Sequence, residues 1–576
     1  MTTASPELAP PSKESVKETL ISILIAFVLA FVFRSFVVEA FIIPTGSMAP
    51  TLLGAHMRFA NSETGANWTV GPWIYDPRTR EPLSVQGDTA PVIVHDPISG
   101  EALSRTSVPL RSGDRILVEK FLYGVREPQR FDVVVFKNPS DPNQNYIKRL
   151  IGLPNEEIAL VDGDVFTRKA DSATNPTAPT ATTSPNSNRW TEPGWQIARK
   201  DSRVMKSVWQ DVFDAAKTPL SFGQVTAAAF KFPWVGASET PNAWVVSDGL
   251  TLPRGQITCT TSKRAALSWN NQQSFFSSLS QGGRDFDRTI TDRYAYNEPA
   301  PRSSIQTNYF PVSDVRVSAG IKPEQAGLAY RVVLQARGHI FIGEVAGGKA
   351  TLKMRPIEPL DGPFTTLATG DATLSAGRVT AVEFWHHDQS LRLLIGGREV
   401  AAGTYDWTPQ QRIAFATGRT LSELMERQKT VSGNILADPN LYRPAQLRIE
   451  LEGSPASIFG LKLDRDLHYQ PATYPLGTGE FGGQPAVATS PETTIHLEPN
   501  QFFVCGDNSP QSMDSRLWNR PDPSIEALML SRGMKNTVGV VSRDLMLGRA
   551  FHVYFPSMLQ GGLVPVPDVG RMRFIQ

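Results

Sequence analysis

The chain opens with a polar segment, and a long apolar run follows it. Residues 1–16 form a polar tail, and residues 20–33, LISILIAFVLAFVF, contain nothing more polar than one serine. This run alone is short for a membrane span, which needs about 20 residues. It reaches that length over 19–38 if Arg34 extends its charged end to the membrane interface. We therefore predict a transmembrane anchor over 17–39.

The alternative for this segment is a cleaved signal peptide, in which small residues at a cut site follow a short apolar core. Here the core is followed by RSFVVEAFIIP, residues 34–44, which is bulky and has no A-x-A pattern. The sequence therefore favours an anchor that is not removed. Its orientation is weakly determined, because two lysines before the run are offset by three glutamates.

Residues 40–169 alternate apolar runs with turns, which is typical of β-strands. Between these runs, residues 57–112 are polar and rich in turn formers, and they are interpreted as an insertion of no evident chemistry. An Asp-Gly pair at 162–163 predicts a β-hairpin. The strand-like runs are DRILVEKFLYG (114–124), FDVVVFKNP (131–139) and EIALVDGDVFTR (157–168).

Two stretches of small and polar residues divide the rest of the chain. Residues 170–188 and 476–494 are poor in core-forming side chains, so both are predicted to be linkers. They bracket residues 189–475, whose alternating strand signals predict an inserted antiparallel β-sandwich. An insertion of this kind leaves the host fold intact, so the first domain is expected to resume over 495–576.

Composition narrows the possible functions. Gly (44) and Pro (45) are frequent, which favours a turn-rich, mostly β protein. Lys plus Arg (57) and Asp plus Glu (56) nearly cancel, so no nucleic-acid partner is expected. The two cysteines, Cys259 and Cys505, lie in no CxxC pair, and no metal or other cofactor is predicted. A single bridge between them is possible but unsupported.

The stretch FIIPTGSMAPTL, residues 41–52, frames Ser47 with prolines three residues to either side. It is either a turn that closes the entry to the domain or a loop that presents a nucleophile. A nucleophilic serine needs a base. The eight histidines show no triad signature, four lie in the predicted sandwich, and the chain has no G-x-S-x-G motif. A Ser-His-Asp site is therefore disfavoured.

Lysine is the other known base for a serine nucleophile. Lys148 lies in an apolar, strand-like run, and strand alternation places Tyr146 and Lys148 on one face, opposite Ile147 and Arg149. Burial would lower the lysine pKa from about 10.4, and about 3 kcal/mol of desolvation would bring it near 8. The alternative is a lysine that reaches solvent from a strand edge.

With these residues in place, the chain resembles the bacterial type I signal peptidases, which are membrane-bound serine-lysine leader peptidases. Four blocks carry the resemblance in the order of the family, and a fifth segment, LMLGRAFHVYFP (545–556), is similar to its closing strand. The blocks are IPTGSMAPTL (43–52), GDRILVEKFLYG (113–124), the region from RFDVVVFKNP to YIKRLIGLPNEEI (130–158) and GDNSPQSMDSR (506–516).

The resemblance implies a role for individual residues. Ser47 matches the nucleophile of the family, and Lys148 matches its general base. Thr45 stands where many members have a serine, so its hydroxyl is expected to bind the oxyanion beside the Ser47 backbone N–H.

The last block carries the expected supporting residues. Ser512 matches a serine that orients the lysine amine, and Asp514 and Arg516 match a supporting salt bridge. The resemblance thus implies a signal-peptidase-type β catalytic domain with an N-terminal transmembrane helix, interrupted by the sandwich. Residues 325–470 more loosely resemble a concanavalin-like jelly roll of the laminin-G type, for which an unknown ligand is possible.

The implied activity is cleavage of N-terminal signal peptides from exported preproteins through an acyl-enzyme, with small residues preferred at positions −1 and −3. The implied partners are these preproteins and the lipid bilayer. The implied location is the bacterial inner membrane, with a single span and an extracytoplasmic catalytic domain. Two alternatives remain: a serine-lysine peptidase that processes other substrates, and a catalytically silent, anchored binding protein whose function belongs to the sandwich.

Overall fold

The computed structural model describes most of the chain and shows a mostly β protein, as predicted. The predicted linker over 170–188 lies outside the described residues. The described residues are 16–32, 38–76, 81–86, 92–169, 189–218, 232–246, 254–270, 289–300, 309–556, 558–559, 566–567 and 569–576.

The helices are short apart from the first, and the strands occur along the whole described chain. The helices are α1 (Val16–Val32), α2 (Leu122–Val125), α3 (Ser202–Val208), α4 (Pro409–Thr417), α5 (Leu421–Gln428) and α6 (Pro523–Ser531). The strands up to residue 169 are β1 (Val38–Ile42), β2 (Met57–Ala60), β3 (Asn67–Val70), β4 (Ile74–Tyr75), β5 (Pro82–Leu83), β6 (Val85–Gln86), β7 (Val92–His95), β8 (Ala102–Arg105), β9 (Ser107–Val108), β10 (Arg115–Glu119), β11 (Val133–Asn138), β12 (Asp141–Gly152), β13 (Glu156–Val161) and β14 (Asp164–Lys169).

The remaining strands fall into two groups. Those between residues 189 and 475 are β15 (Gln196–Ile197), β16 (Gln210–Asp214), β17 (Trp234–Ser238), β18 (Trp244–Val246), β19 (Gln256–Cys259), β20 (Ala265–Trp269), β21 (Val315–Pro323), β22 (Ala329–Ala336), β23 (His339–Ala346), β24 (Lys349–Pro356), β25 (Thr365–Asp371), β26 (Thr380–His387), β27 (Ser390–Ile395), β28 (Arg398–Thr404), β29 (Gln446–Glu452) and β30 (Ala456–Arg465). Those after residue 475 are β31 (Ile495–His496), β32 (Gln501–Cys505), β33 (Val541–Ser542), β34 (Met546–Phe555), β35 (Met558–Leu559), β36 (Val566–Pro567) and β37 (Arg573–Phe574).

One antiparallel sheet joins the sequence blocks that lie far apart in the chain. Its strand order is β1-β10-β34-β11-β12-β32-β33, and β37 also pairs with β34. β12 lies inside this sheet, where Lys148 faces Val134 of β11 and the next residue, Arg149, faces Cys505 of β32. The sheet therefore places strand β12 beside the last sequence block, although more than 350 residues separate Arg149 from Asp507.

The hairpin predicted at 162–163 is confirmed. Strands β13 and β14 pair antiparallel from Glu156 with Lys169 to Val161 with Asp164. Asp162 and Gly163 have φ values of 49° and 88°, which is the left-handed conformation that a two-residue hairpin turn favours.

The predicted β-sandwich is present between residues 210 and 465. Within the described residues, one sheet has the order β18-β19-β30-β21-β26-β27-β28, with β16 on β30, and the other has the order β17-β20-β29-β22-β23-β24-β25. Val317 and Phe384 of the first sheet belong to the same buried cluster as Phe341 and Ile449 of the second. The exact boundaries of the predicted domains remain predictions.

The second half of the linker predicted at 476–494 is instead packed into the protein. Leu476 is 84% exposed, but Ala486, Ala488 and Thr489 are fully buried. The Leu160 N–H of β13 donates to the Ala488 carbonyl at 2.7 Å. Small side chains allow this close backbone approach. Because small and polar residues are also typical of solvated linkers, composition alone cannot distinguish this packed segment from a linker.

The predicted anchor is described in part. Helix α1 (Val16–Val32) covers residues 17–32 of the predicted span at 17–39, and residues 33–37 are not among the described ones. Among the helices of the described residues, none combines the length and the apolar character needed to cross a membrane. The anchor therefore remains a prediction.

Candidate active site

The loop that carries Ser47 leaves strand β1 and forms one 3₁₀ turn over Gly46–Met48. The Ala49 N–H donates to the Gly46 carbonyl at 3.0 Å, which closes the turn. Ser47 is 8% exposed, and Met48, fully buried, packs in the same cluster as Ile147. The turn is therefore fixed by packing, and it presents the serine at the edge of the buried region.

Ser47 and Lys148 lie together. The Lys148 Nζ donates to Ser47 Oγ at 2.8 Å and to the Ile147 carbonyl at 3.0 Å. The Lys148 residue is 3% exposed, so water has little access to the amine. Tyr146 and Lys148 lie on the same face of β12, as predicted, because the Lys148 amine is 5.1 Å from the ring centroid of Tyr146.

The surroundings of Lys148 favour the neutral amine. Burial lowers its pKa from 10.5 to about 8, and the negative charges of Asp514 and Asp507 offset this effect in part. At pH 7 about a tenth of the molecules then carry the free base. A neutral amine at hydrogen-bond distance from a hydroxyl can accept its proton.

The groups expected to bind the oxyanion lie next to the serine. Thr45 precedes the 3₁₀ turn in an extended conformation (φ −118°, ψ 158°), and its hydroxyl makes no capping hydrogen bond. The first N–H groups of such a turn have no partner inside it. The role of the Thr45 hydroxyl and the Ser47 N–H remains a prediction.

Ser512 lies beside the nucleophile, but the bond expected from it is missing. A Cβ added to Gly506 would lie 2.3 Å from Ser512 Oγ and 2.4 Å from the Ser47 carbonyl oxygen, so the two serines flank this glycine. Ser512 is 4% exposed, and within the described residues its hydroxyl makes no hydrogen bond. The predicted contact with the Lys148 amine is therefore absent from the structure.

Asp514 and Arg516 form the predicted salt bridge, and it is buried. Arg516 Nη2 donates to Asp514 Oδ2 at 2.8 Å, and Arg516 Nε donates to Oδ1 at 2.9 Å. Burial raises the pKa of Asp514, but the charge and hydrogen bonds of Arg516 outweigh it and hold this pKa below its usual value. Asp514 also accepts from the Gly506 N–H at 2.9 Å, which fixes the loop beside Ser47.

A second buried ion pair, between Arg149 and Asp507, was not predicted. Arg149 donates from Nε to Asp507 Oδ1 at 2.8 Å and from Nη2 to Oδ2 at 2.7 Å, and both side chains are fully buried. The Thr51 hydroxyl donates to the same carboxylate at 2.5 Å. Asp507 therefore ties the loop that carries Ser47 to strand β12, which carries Lys148. The sequence feature that could have pointed to a buried Arg149 was the strand alternation, which places Arg149 on the opposite face from Lys148.

Asn508, also not predicted, holds the backbone of the nucleophile turn. Its N–H donates to the Ser47 carbonyl at 3.0 Å, and its side-chain Nδ2 donates to the Gly46 carbonyl at 3.0 Å. Asn508 lies in the last sequence block, but only the fold shows that this block reaches back to residues 46 and 47.

One group of His and Asp side chains among the described residues has the spacing of a metal site. It consists of His387, Asp388 and Asp466, all buried. Lys200 Nζ already lies 2.6 Å from Asp388 and 3.0 Å from Asp466. An ammonium group therefore already supplies the positive charge there. Both cysteines are buried and free, so the possible bridge between them does not form.

Comparison with known families finds one that matches part of the chain. The family described as "Signal peptidase, peptidase S26" matches residues 16–76 and 95–208 of the chain. The predicted resemblance to the bacterial type I signal peptidases is therefore confirmed for this part of the molecule.

Individual relatives are similar to parts of the chain. A "Signal peptidase I" from Buchnera aphidicola subsp. Acyrthosiphon pisum (strain APS) is 31% identical over 153 residues, which cover 24% of this chain and 30% of the relative. Proteins of the same name from Pseudomonas fluorescens (52% over 58 residues, 8% and 20% covered) and Rickettsia typhi strain Wilmington (28% over 155 residues, 27% and 44% covered) are also similar. The chain thus spans less than half the length of these relatives.

Solved structures similar to part of the chain include the carbohydrate-binding module CBM66 from Bacillus subtilis, with a TM-score of 0.22 and 7% identity, covering 40% of this chain and 95% of that one. Galectin LEC-6 from Caenorhabditis elegans has a TM-score of 0.18 and 12% identity, covering 28% and 91%. The laminin-G type of the sandwich remains a prediction.

Proposed function

We propose that this protein is a membrane-anchored serine endopeptidase that removes N-terminal signal peptides from exported preproteins. The observation that carries the proposal is the 2.8 Å hydrogen bond between Ser47 Oγ and the buried amine of Lys148, whose pKa burial lowers to about 8. A serine with a neutral lysine beside it has both the nucleophile and the base that peptide cleavage requires.

In the proposed mechanism, neutral Lys148 takes the proton of Ser47 as Oγ attacks the carbonyl carbon of the scissile peptide. The Ser47 N–H and the Thr45 hydroxyl stabilise the oxyanion. The Lys148 ammonium then protonates the leaving amine as the C–N bond breaks, which leaves an acyl-enzyme ester on Ser47. Lys148, neutral again, takes a proton from water, whose oxygen attacks the ester. That proton returns to Ser47 Oγ when the ester bond breaks.

The substrate class and location rest on the resemblance together with helix α1. Most apolar side chains of α1 are exposed, including Leu24 (63%), Phe27 (60%) and Phe31 (66%), and such a surface is stable in lipid rather than in water. We propose that residues 17–39 anchor the chain by a single span in the bacterial inner membrane, with the catalytic domain outside the cytoplasm. Cleavage then occurs after small residues at positions −1 and −3 of the preprotein.

The test is cleavage of a preprotein with an A-x-A signal in detergent by wild type, Ser47→Ala and Lys148→Ala. Lys137→Ala is the matched control, because Lys137 lies on the neighbouring strand β11 and its side chain is exposed. We expect wild type and Lys137→Ala to cleave at the same site and the other two variants to lose at least 10³-fold in rate, on the order of a lost nucleophile or base. Equal cleavage by all four proteins would refute the mechanism. An inactive wild type would favour the silent binding protein.

A further inference from the structure

A short segment from the region between the two predicted linkers lies against the loop that carries Ser47 instead of within the sandwich. We call this loop, residues 43–55, the nucleophile loop. We call residues 294–298, Tyr-Ala-Tyr-Asn-Glu, the support segment. It includes a 3₁₀ turn over Ala295–Asn297, and Tyr296 and Asn297 are 2% and 6% exposed. Tyr296 belongs to the same buried cluster as Ala49 and Leu53 of the nucleophile loop.

Asn297 forms a reciprocal pair with Asn508. The Asn297 Nδ2 donates to Asn508 Oδ1 at 2.7 Å, and the Asn508 Nδ2 donates to Asn297 Oδ1 at 2.8 Å. The Nδ2 of Asn508 also donates to the Gly46 carbonyl, so this amide can face the turn in one orientation only. Asn297 satisfies the remaining side-chain oxygen of Asn508. It therefore fixes the residue that binds the carbonyls of Gly46 and Ser47.

Tyr296 holds both ends of the same loop. A Cβ added to Gly46 would lie 2.0 Å from Cε1 of Tyr296, so the ring packs directly on the residue before the nucleophile. The Tyr296 hydroxyl donates to the Ala55 carbonyl at 2.7 Å. Burial raises the pKa of Tyr296, so this hydroxyl stays protonated and remains a donor.

The support segment is itself held on its other side. The Gly71 N–H donates to the Tyr296 carbonyl at 2.8 Å, and Trp73 Nε1 donates to the Glu298 carbonyl at 2.8 Å. His95 Nδ1 lies 2.9 Å from Glu298 Oε1. The predicted polar insertion at 57–112 thus clamps the segment against the nucleophile loop.

We propose that Tyr296 and Asn297 are positioning residues for Ser47, so that the region between the two predicted linkers supplies part of the support of the active site. Asn297 acts through Asn508, and Tyr296 acts through Gly46 and Ala55. The inference rests on the proposed function, because it concerns the same nucleophile. Displacing a reacting atom by about 1 Å can lower a rate about 10²-fold, so loss of these contacts should lower kcat.

The first measurement is the kinetics of preprotein cleavage by Asn297→Ala and Tyr296→Phe. Asn434→Ala and Tyr442→Phe are the matched controls. Asn434 is also 6% exposed and donates to the Thr489 carbonyl, and the Tyr442 hydroxyl donates to the Leu436 carbonyl. We expect kcat to fall about 10- to 100-fold in Asn297→Ala and less in Tyr296→Phe, with KM within about twofold of wild type. The controls should keep the wild-type kcat.

A double variant tests whether Asn297 acts through Asn508. If it does, Asn297→Ala combined with Asn508→Ala should lower kcat little more than Asn508→Ala alone, because neighbours in one network are not additive. If the two substitutions instead lower kcat by the product of their separate effects, Asn297 does not act through Asn508.

The second measurement does not need a natural substrate. In a Ser47→Cys background, the charge of Lys148 should hold the thiol pKa below its usual value of about 8.5. The pH dependence of alkylation by iodoacetamide reports that pKa, since Cys259 and Cys505 are fully buried. We expect Asn297→Ala to move the thiol pKa back toward 8.5 and Asn434→Ala to leave it unchanged.

The two readouts separate the two proposals. If wild type cleaves no preprotein but Asn297→Ala moves the thiol pKa, the proposed function fails and the positioning role holds. If wild type cleaves and Asn297→Ala matches Asn434→Ala in both kcat and thiol pKa, the positioning role is wrong and the proposed function holds.

Discussion

Replacing Lys148 with methionine should make the protein more stable at neutral pH while removing its activity. The Lys148 amine is buried, and among the described residues it makes a hydrogen bond to Ser47 and to the Ile147 carbonyl but no salt bridge. Burial lowers its pKa from 10.5 to about 8. The folded protein therefore holds this proton less tightly than the unfolded chain, and protonated Lys148 destabilises the fold.

The size of the effect follows from these two pKa values. In the unfolded chain the lysine stays protonated up to about pH 10.5, so unfolding takes up a proton between pH 8 and 10.5, and stability rises with pH in that window. At pH 7 the lowered pKa corresponds to about 3.4 kcal/mol of destabilisation, and at pH 10 to about 0.8 kcal/mol. Replacing Lys148 with methionine removes this destabilisation, but it also removes the two hydrogen bonds of the amine, worth about 1 kcal/mol each.

We therefore expect Lys148→Met to be about 1 kcal/mol more stable than wild type at pH 7 and about 1 kcal/mol less stable at pH 10. The assay is urea unfolding in detergent, followed by tryptophan fluorescence at both pH values. Lys200→Met is the matched control, because Lys200 is also buried but lies between Asp388 and Asp466. That variant should be destabilised at both pH values, since it leaves two carboxylates without their cation.

A stability difference between Lys148→Met and wild type that stays the same from pH 7 to pH 10 would refute this reasoning. It would mean that the amine is solvated or paired, and that its pKa is not lowered by burial.

Three further predictions concern the same site. In the proposed mechanism the free Lys148 amine is the base, so the cleavage rate kcat/KM of wild type should rise with pH and reach half its maximum near pH 8; a rate that is flat from pH 6 to 9 would contradict this. Asp507→Asn removes the partner of fully buried Arg149 and should lower the free energy of unfolding by about 3–5 kcal/mol; a loss below about 1 kcal/mol in urea unfolding would show that the pair is not structural. Ser512→Ala removes a hydroxyl that makes no hydrogen bond, so stability should change by less than about 0.5 kcal/mol, while kcat falls if this serine orients Lys148 during the reaction; an unchanged kcat would rule out that role.

Much of the site could be predicted from local sequence. The Pro-framed turn around Ser47 and the alternation that buries Lys148 are properties of short segments, and the structure places these two residues 2.8 Å apart. The Asp-Gly hairpin at 162–163 could be predicted for the same reason. Its two turn residues adopt the left-handed backbone conformation, which Asp and Gly tolerate better than most residues. The packed half of the predicted linker could not, because Ala488 is buried only by its contact with β13.

The sequence by itself therefore determined the turn around Ser47 and the alternation of residues along β12, since each depends on residues close together in the chain. The choice of Lys148 as the proposed base came from the resemblance to the signal peptidases, because Lys148 lies 101 residues from Ser47. The tertiary structure decided what holds these parts in place. The Arg149–Asp507 pair and the contacts of Asn297 with Asn508 join residues more than 200 positions apart. No local pattern specifies such partners, because a buried charge or amide is satisfied by whichever group the fold brings to it.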